Sequence, residues 1–158
     1  MKDQIIEDFK LKLIGNYSNM NQAYSNPAYW AYINIKFEEI SENVIHSKSW
    51  YDMHTEDSPY KNSIIKLSTM NDCVVMSTSI DNDNIKFADI IFEYKDNFWL
   101  GENLKCIIPN KNFYISTSMK FDGINYYSRD AGYNLDTDKK IWGKSPEEGM
   151  FHFIKRDS

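Results

Sequence analysis

The first part of the chain carries an apolar pattern of helical period. Its large apolar residues lie three and four positions apart, at Ile5, Ile6, Phe9 and Leu13. This spacing places them on one face of an amphipathic helix. We predict a helix over about residues 3–14, with Asp3 as its N-cap and Gly15 as its C-cap. Residues 18–22 resemble the start of a second, short helix that ends before Pro27.

Beyond Pro27 the apolar period changes from helical to two. Ile33, Ile35 and Phe37 alternate with polar residues, which is typical of a half-buried strand. The further predicted strands are 44–54, 60–68, 73–79, 104–108, 113–121, 124–128 and 150–154. Many short strands at regular spacing indicate an antiparallel sandwich or barrel.

Turn signals separate the predicted strands. The Asp122-Gly123 pair between two alternating runs is the strongest hairpin signal, and a polar run at Asp81–Asn84 predicts another turn. Residues 87–92 fit either a helical turn or a strand. No repeat, linker or low-complexity tract interrupts the chain, so its 158 residues predict one domain over 1–158.

The charge balance limits the classes of partner. The formal net charge is -5 and the sequence pI is about 5.2, which argues against nucleic-acid binding. No segment approaches the length of an apolar membrane span. The first fifteen residues contain acids, which is unlike a signal peptide, so we expect a cytoplasmic protein. Asn, Ile and Lys are abundant, as in proteins of AT-rich genomes.

Common catalytic and metal-binding motifs are missing. His46, His54 and His152 do not lie at ligand spacings, so we expect no metal site. We interpret Cys73 and Cys106 as reduced thiols, the latter buried and inert in a strand. Aromatic residues, at 15% of the chain, are the more suggestive feature. They could fill the core of a small barrel or line a ligand pocket at its mouth, and composition alone leaves both open.

Several short motifs, in order, resemble one family. They are GNYSNMNQA at 15–23, Pro59-Tyr60-Lys61, Cys106 followed by FYISTSMKFDG, Asp130-Ala131-Gly132-Tyr133, Trp142-Gly143 and Gly149-Met150-Phe151. Their order and approximate spacing resemble the T-type phycobilin lyases, the CpcT/CpeT family, over about residues 9–154. The family's Pro-Tyr-Arg is present here with lysine at its third position. A compact member on this AT-rich background would suit a cyanobacterial virus.

This resemblance implies an all-β fold, an antiparallel, calyx-like (lipocalin-like) barrel with an N-terminal helix. It implies a bilin ligand, phycoerythrobilin or phycocyanobilin, that is attached to a cysteine of a phycobiliprotein β-subunit. The bilin-binding residues so implied are Tyr60, Lys61, Arg129, Asp130, Tyr133 and Trp142. The structural motif residues so implied are Asn19, Gln22, Gly132 and Gly143.

Within this interpretation, Asp130 accepts the pyrrole N–H groups, while Lys61 and Arg129 pair with the propionates. Two other functions remain open at this level: a bilin carrier that supplies another lyase, and a lipocalin-like binder of some other apolar molecule. The sequence leaves a homodimer open as well.

Overall fold

A computed structural model describes residues 2–80 and 89–156 of the chain. The turn predicted at 81–84 and the first part of the ambiguous segment 87–92 lie outside these ranges. The chain order is helix α1 (Lys2–Leu13), strand β1 (Gly15–Ser18) and helix α2 (Met20–Ser25), followed by further strands. These strands are β2 (Ile33–Ser41), β3 (Val44–Tyr51), β4 (Lys61–Met70), β5 (Cys73–Ile80), β6 (Ile90–Lys95), β7 (Phe98–Ile107), β8 (Phe113–Phe121), β9 (Asn125–Asn134), β10 (Lys140–Gly143) and β11 (Phe151–Arg156).

Antiparallel pairing closes the sheet into a barrel. The strands follow one another in the order β9, β11, β1, β2 through β8, and β8 then pairs with β9 along its whole length. Strand β11 pairs with the first half of β9, and β10 pairs with its second half. The barrel therefore has ten strands, and β10 extends its wall beside β9. Closure gives each of these ten strands a hydrogen-bonded neighbour on both sides within the described residues.

Helix α1 closes one end of the barrel. Its residues Ile6, Phe9 and Leu13 are buried, and α1 packs against β4 and β5. Phe9 meets the rings of Phe92, Trp99 and Phe121 edge-on, at centroid distances of 5.1, 5.3 and 5.0 Å. A site for a large ligand must therefore open at the other end, where the loops from β3 to β4 and from β9 to β10 lie.

The predicted fold class is confirmed. The bounds of some strands differ from those predicted from the sequence pattern. The strand predicted at 124–128 continues through residue 134, and the one predicted at 104–108 begins at Phe98. Gly15 does not cap α1 but begins β1, with φ of 145°. Neither β1 nor β10 was predicted, because four-residue strands carry too few alternations to be recognised.

The register assigns each strand residue to the lumen or to the outside. Ile65 and Leu67 of β4 belong to the core, so alternate residues Lys61 and Ser63 also face inward. Directly paired residues project from the same face of a sheet. On β9 the core residue Tyr126 is followed on the inner face by Ser128, Asp130 and Gly132.

The amide residues of the GNYSNMNQA motif fasten α2 to the barrel wall. Buried Asn19 donates from Nδ2 to the Ala31 carbonyl at 2.8 Å and accepts from the Ile33 N–H at 2.7 Å. Gln22 donates to the Met150 carbonyl and accepts from the His152 N–H, at 3.0 and 2.9 Å. Each amide therefore pairs backbone groups that the strands leave unpaired.

Raising the pH above about 10, the ordinary tyrosine pKa, should progressively destabilise this barrel. Burial is the largest cause that raises the pKa of Tyr17 and that of Tyr126 in the folded protein. In the unfolded chain the same phenols ionise near pH 10. The neutral phenols therefore stabilise the fold fully below about pH 10 and progressively less above it, by about 1.4 kcal/mol per pH unit for each tyrosine. Urea unfolding at a series of pH values from 8 to 11.5 measures this loss. A free energy of unfolding that stays constant over that range would contradict it.

Candidate functional site

An ion pair inside the open end joins two strands that are far apart in sequence. Lys61, at the start of β4, and Asp130, in the middle of β9, lie with Nζ and Oδ2 3.7 Å apart. That separation is too long for a hydrogen bond, and the two side chains are 48% and 45% exposed. Such an exposed pair contributes little to stability. Both charges are therefore open to a ligand that carries acidic and N–H groups.

Tyrosine rings form the wall beside this pair. Tyr51 and Tyr60 stack with centroids 4.5 Å apart and an interplanar angle of 23°. Burial, then the nearby Tyr51 and Asp130, raise the pKa of Tyr60 to about 12, while a hydrogen bond with Ser49 opposes the rise. Tyr60 is 49% exposed, so solvent tempers this effect. Its phenol is neutral at physiological pH and can both donate and accept a hydrogen bond.

Trp142 reaches the inner face of the mouth because Gly132 has no side chain. Trp142 of β10 pairs with Gly132 of β9, and a Cβ on Gly132 would lie 2.2 Å from the indole Nε1. Gly132 itself lies within β9 and not in a turn. Gly143 does need its φ of 87°, and a Cβ there would meet the Asp130 carbonyl oxygen at 2.1 Å.

Two of the sequence-predicted site residues lie on the outer face of β9. Arg129 is buried there, donating to the Ser116 hydroxyl at 2.9 Å and to the Lys144 carbonyl at 3.2 Å. Tyr133 stacks on Tyr114 with centroids 5.3 Å apart. The structure thus brings together Tyr60, Lys61, Asp130 and Trp142, while Arg129 fastens the segment after β10 to the barrel.

A belt of hydroxyl groups lines the inner wall below the mouth, a feature that the sequence analysis missed. Its members, by strand register, are Ser47, Ser49, Ser63, Thr78, Thr117 and Ser128. The period-two pattern contains the signal, because these residues occupy inward positions where apolar residues are expected. We call this set the hydroxyl belt. It makes the upper lumen polar, while the lower lumen is apolar.

A second concavity lies at the closed end. A cleft of about 540 Å³ runs beside α1 and is lined by Asp8, Asp72 and Glu93 together with Cys73, Tyr94 and Trp99. Three carboxylates would repel a ligand that carries its own acids. For such a ligand the mouth, with its lysine and aromatic walls, is the better site.

Cys106 is buried and pairs with Ile115 across β7 and β8, which places it on the inner face. Its neighbour Lys105 lies on the outer face, with Nζ 5.0 Å from the Tyr114 ring centroid. Within residues 2–80 and 89–156, no cluster of histidine, cysteine or carboxylate side chains could hold a metal ion. In the same ranges no helix is long and apolar enough to cross a membrane.

These features define a class: a ten-stranded, calyx-shaped antiparallel barrel, plugged by a helix and open at an aromatic mouth. Three known proteins with similar sequences are named as lyases. A chromophore lyase CpcT/CpeT of Thermosynechococcus vestitus is 21% identical over an alignment covering 92% of this chain and 90% of the relative. One of Prochlorococcus marinus is 26% identical over 90% and 88%. A phycocyanobilin lyase CpcT of Nostoc is 22% identical over 90% and 87%.

Solved structures agree with these sequence matches. The T-type phycobiliprotein lyase CpeT from Prochlorococcus phage P-HM1 superposes with a TM-score of 0.73 at 27% identity, covering 96% of this chain and 98% of the phage protein. The CRL protein of Arabidopsis shares the fold, with a TM-score of 0.75 at 15% identity over 98% of each chain. No family model matches the chain. The lyase matches cover nearly the whole chain, in sequence and in structure, and so make the chain similar throughout to the T-type, or CpcT/CpeT, lyases.

Proposed function

We propose that this protein is a bilin lyase that holds an open-chain tetrapyrrole at the barrel mouth and attaches it to a cysteine of a phycobiliprotein β-subunit. The observation that carries this proposal is the Lys61–Asp130 pair, set between Tyr60 and Trp142 on the fold of the T-type lyases. Relatives named chromophore lyase and phycocyanobilin lyase support the activity. Phycoerythrobilin and phycocyanobilin are the proposed ligands, and the cytoplasm of a cyanobacterial cell is the proposed location.

The chemistry of a bilin matches the groups at the mouth. Its pyrrole N–H groups are donors for the Asp130 carboxylate, and a propionate is the counter-charge for Lys61. Its flat conjugated system fits against the rings of Tyr60 and Trp142. A ligand that bridges Asp130 and Lys61 replaces a 3.7 Å contact with two charge-assisted hydrogen bonds, so binding need not leave either charge unpaired.

Attachment is an addition that needs little acid–base chemistry from the protein. The acceptor thiol adds across the exocyclic double bond of a terminal ring: sulfur bonds to the exocyclic carbon, the thiol proton ends on the ring carbon, and nothing leaves. Holding the pigment with that carbon at the mouth, where another protein's cysteine can approach, supplies the orientation. We propose that Cys106 takes no covalent part, since it is buried inside the wall.

A binder of purely apolar molecules is the weaker alternative. A hydrocarbon chain in the lumen would face the hydroxyl belt without offering it hydrogen bonds, and buried hydroxyls without partners are costly. A tetrapyrrole carries N–H and C=O groups along its length and avoids that cost. A carrier that only delivers the pigment would use the same contacts, so a direct transfer assay must separate it from a lyase.

The test is a titration with phycoerythrobilin and, separately, with phycocyanobilin. Immobilising the pigment should sharpen its absorbance and raise its fluorescence. Addition of apo-phycobiliprotein β-subunit should then give pigment that stays on the subunit in acid-urea, faster than pigment and subunit alone. Binding without faster transfer would indicate a carrier. Unchanged spectra with both bilins, or displacement of either by an equimolar fatty acid, would reject the proposed ligand.

A further inference from the structure

Strand β4 presents a buried hydroxyl that nothing in the described protein pairs with. Ser63 is 2% exposed, and its Oγ is the one buried side-chain polar atom of residues 2–80 and 89–156 without a hydrogen-bond partner. Buried hydroxyls almost always have partners, and one without a partner destabilises the fold. An alanine would fit the same position without that cost. The hydroxyl therefore calls for a functional explanation.

The position of Ser63 connects it to the mouth. Ser63 lies two residues after Lys61 on the same inner face of β4. It is therefore roughly 7 Å deeper in the barrel than Lys61. Its direct partner on the neighbouring strand β3 is Ser47, a partly exposed member of the hydroxyl belt. Paired Cβ atoms lie about 5 Å apart. A ligand group that enters from the mouth and reaches Ser47 therefore lies one strand away from Ser63, whose Oγ is covered while the barrel is unliganded.

We propose that Ser63 is the hydrogen-bond partner of the terminal lactam of the tetrapyrrole that lies deepest in the barrel. This inference rests on the proposed bilin ligand and specifies how it is oriented. A hydroxyl is neutral and can both donate and accept, which suits the C=O and N–H of a lactam. On β4 and β3, the inward neighbours of Ser63 are Ile65, Ser47 and Ile45, and the cation Lys61 lies roughly 7 Å nearer the mouth. A propionate at this depth would therefore be a buried charge that neither of these two strands pairs with a cation beside it.

The orientation follows from access. A cysteine of another protein can reach pigment only at the rim, so the terminal ring that carries the reactive exocyclic carbon lies at the mouth. The opposite terminal ring then points down the lumen, past the Lys61–Asp130 pair, and its lactam meets Ser63. Ser63 thus fixes which end of the pigment is offered for attachment.

The test compares S63A with the wild type and with S68A, which removes an exposed hydroxyl from the outer face of the same strand. S63A should bind phycoerythrobilin and phycocyanobilin about two- to tenfold more weakly, the loss of one neutral hydrogen bond. Its melting temperature without pigment should equal or exceed that of the wild type, because an unpaired polar group is removed. S68A should change neither quantity. Equal affinity of S63A and wild type would overturn the inference.

A second arm identifies the pigment group. In a bilin whose deep terminal lactam is converted to an O-alkyl lactim ether, the difference between wild type and S63A should vanish. A difference that persists would show that the serine acts through packing, and would overturn the lactam assignment. If the wild type binds no bilin at all, the proposed function fails and this inference fails with it. If the wild type binds and S63A binds equally, only the inference fails.

Discussion

Asp130→Asn should weaken bilin binding about ten- to a hundredfold while hardly changing the stability of the protein. Asparagine keeps the size of the side chain but removes the charge that receives the pyrrole N–H groups. The loss of one charge-assisted hydrogen bond costs about 1.5–3 kcal/mol, which corresponds to that range of affinity. The pigment's absorbance should also shift, because its pyrrole protonation equilibrium moves. Parallel titrations of both proteins with the same bilin measure the two effects.

The matched control is Asp136→Asn, which makes the same change at an exposed position in the loop after β9. It should leave affinity and spectrum as they are. The melting temperature of the Asp130 variant should stay close to that of the wild type, since the ion pair of Asp130 with Lys61 is about half exposed. A variant that melts earlier but binds with wild-type affinity and spectrum would show that Asp130 has only a structural role.

Phe9→Ala should lower the free energy of unfolding by about 3–5 kcal/mol, the usual cost of emptying a large aromatic position in a core. Phe9 is fully buried and packs edge-on against Phe92, Trp99 and Phe121. Its loss leaves a cavity between α1 and the barrel, so the closed end loosens. Urea unfolding, followed by tryptophan fluorescence because Trp99 borders the cavity, measures the change.

Leu11→Ala, on the same helix, is the control. Leu11 is 74% exposed, so its truncation should change the free energy of unfolding by less than about 0.5 kcal/mol. Phe9→Ala and Leu11→Ala change the helix propensity of α1 by similar, small amounts, because both introduce alanine, a good helix former. Equal effects of the two substitutions would mean that α1 does not plug the barrel as described.

Part of the candidate site was chosen from motif order in the sequence, and its role in binding stays a prediction. Tyr60, Lys61, Asp130 and Trp142 come from three separate segments, and the register brings them to one mouth. Arg129 and Tyr133 could not be placed, because the strand containing them was ended too early, at residue 128. Once β9 is known to run to Asn134, alternation puts both of them on the outer face.

What the sequence alone determined is the local order: one amphipathic helix, then strands of period two separated by turns, among them the Asp122-Gly123 hairpin between β8 and β9. The alternation of apolar and polar residues along each strand predicts which of its faces is buried. The tertiary structure alone decided which strands meet and what faces the lumen. The ion pair, the Trp142–Gly132 contact and the unpaired Ser63 hydroxyl all depend on pairings between distant strands. Such long-range registers result from the closure of the whole barrel, which no short stretch of sequence specifies.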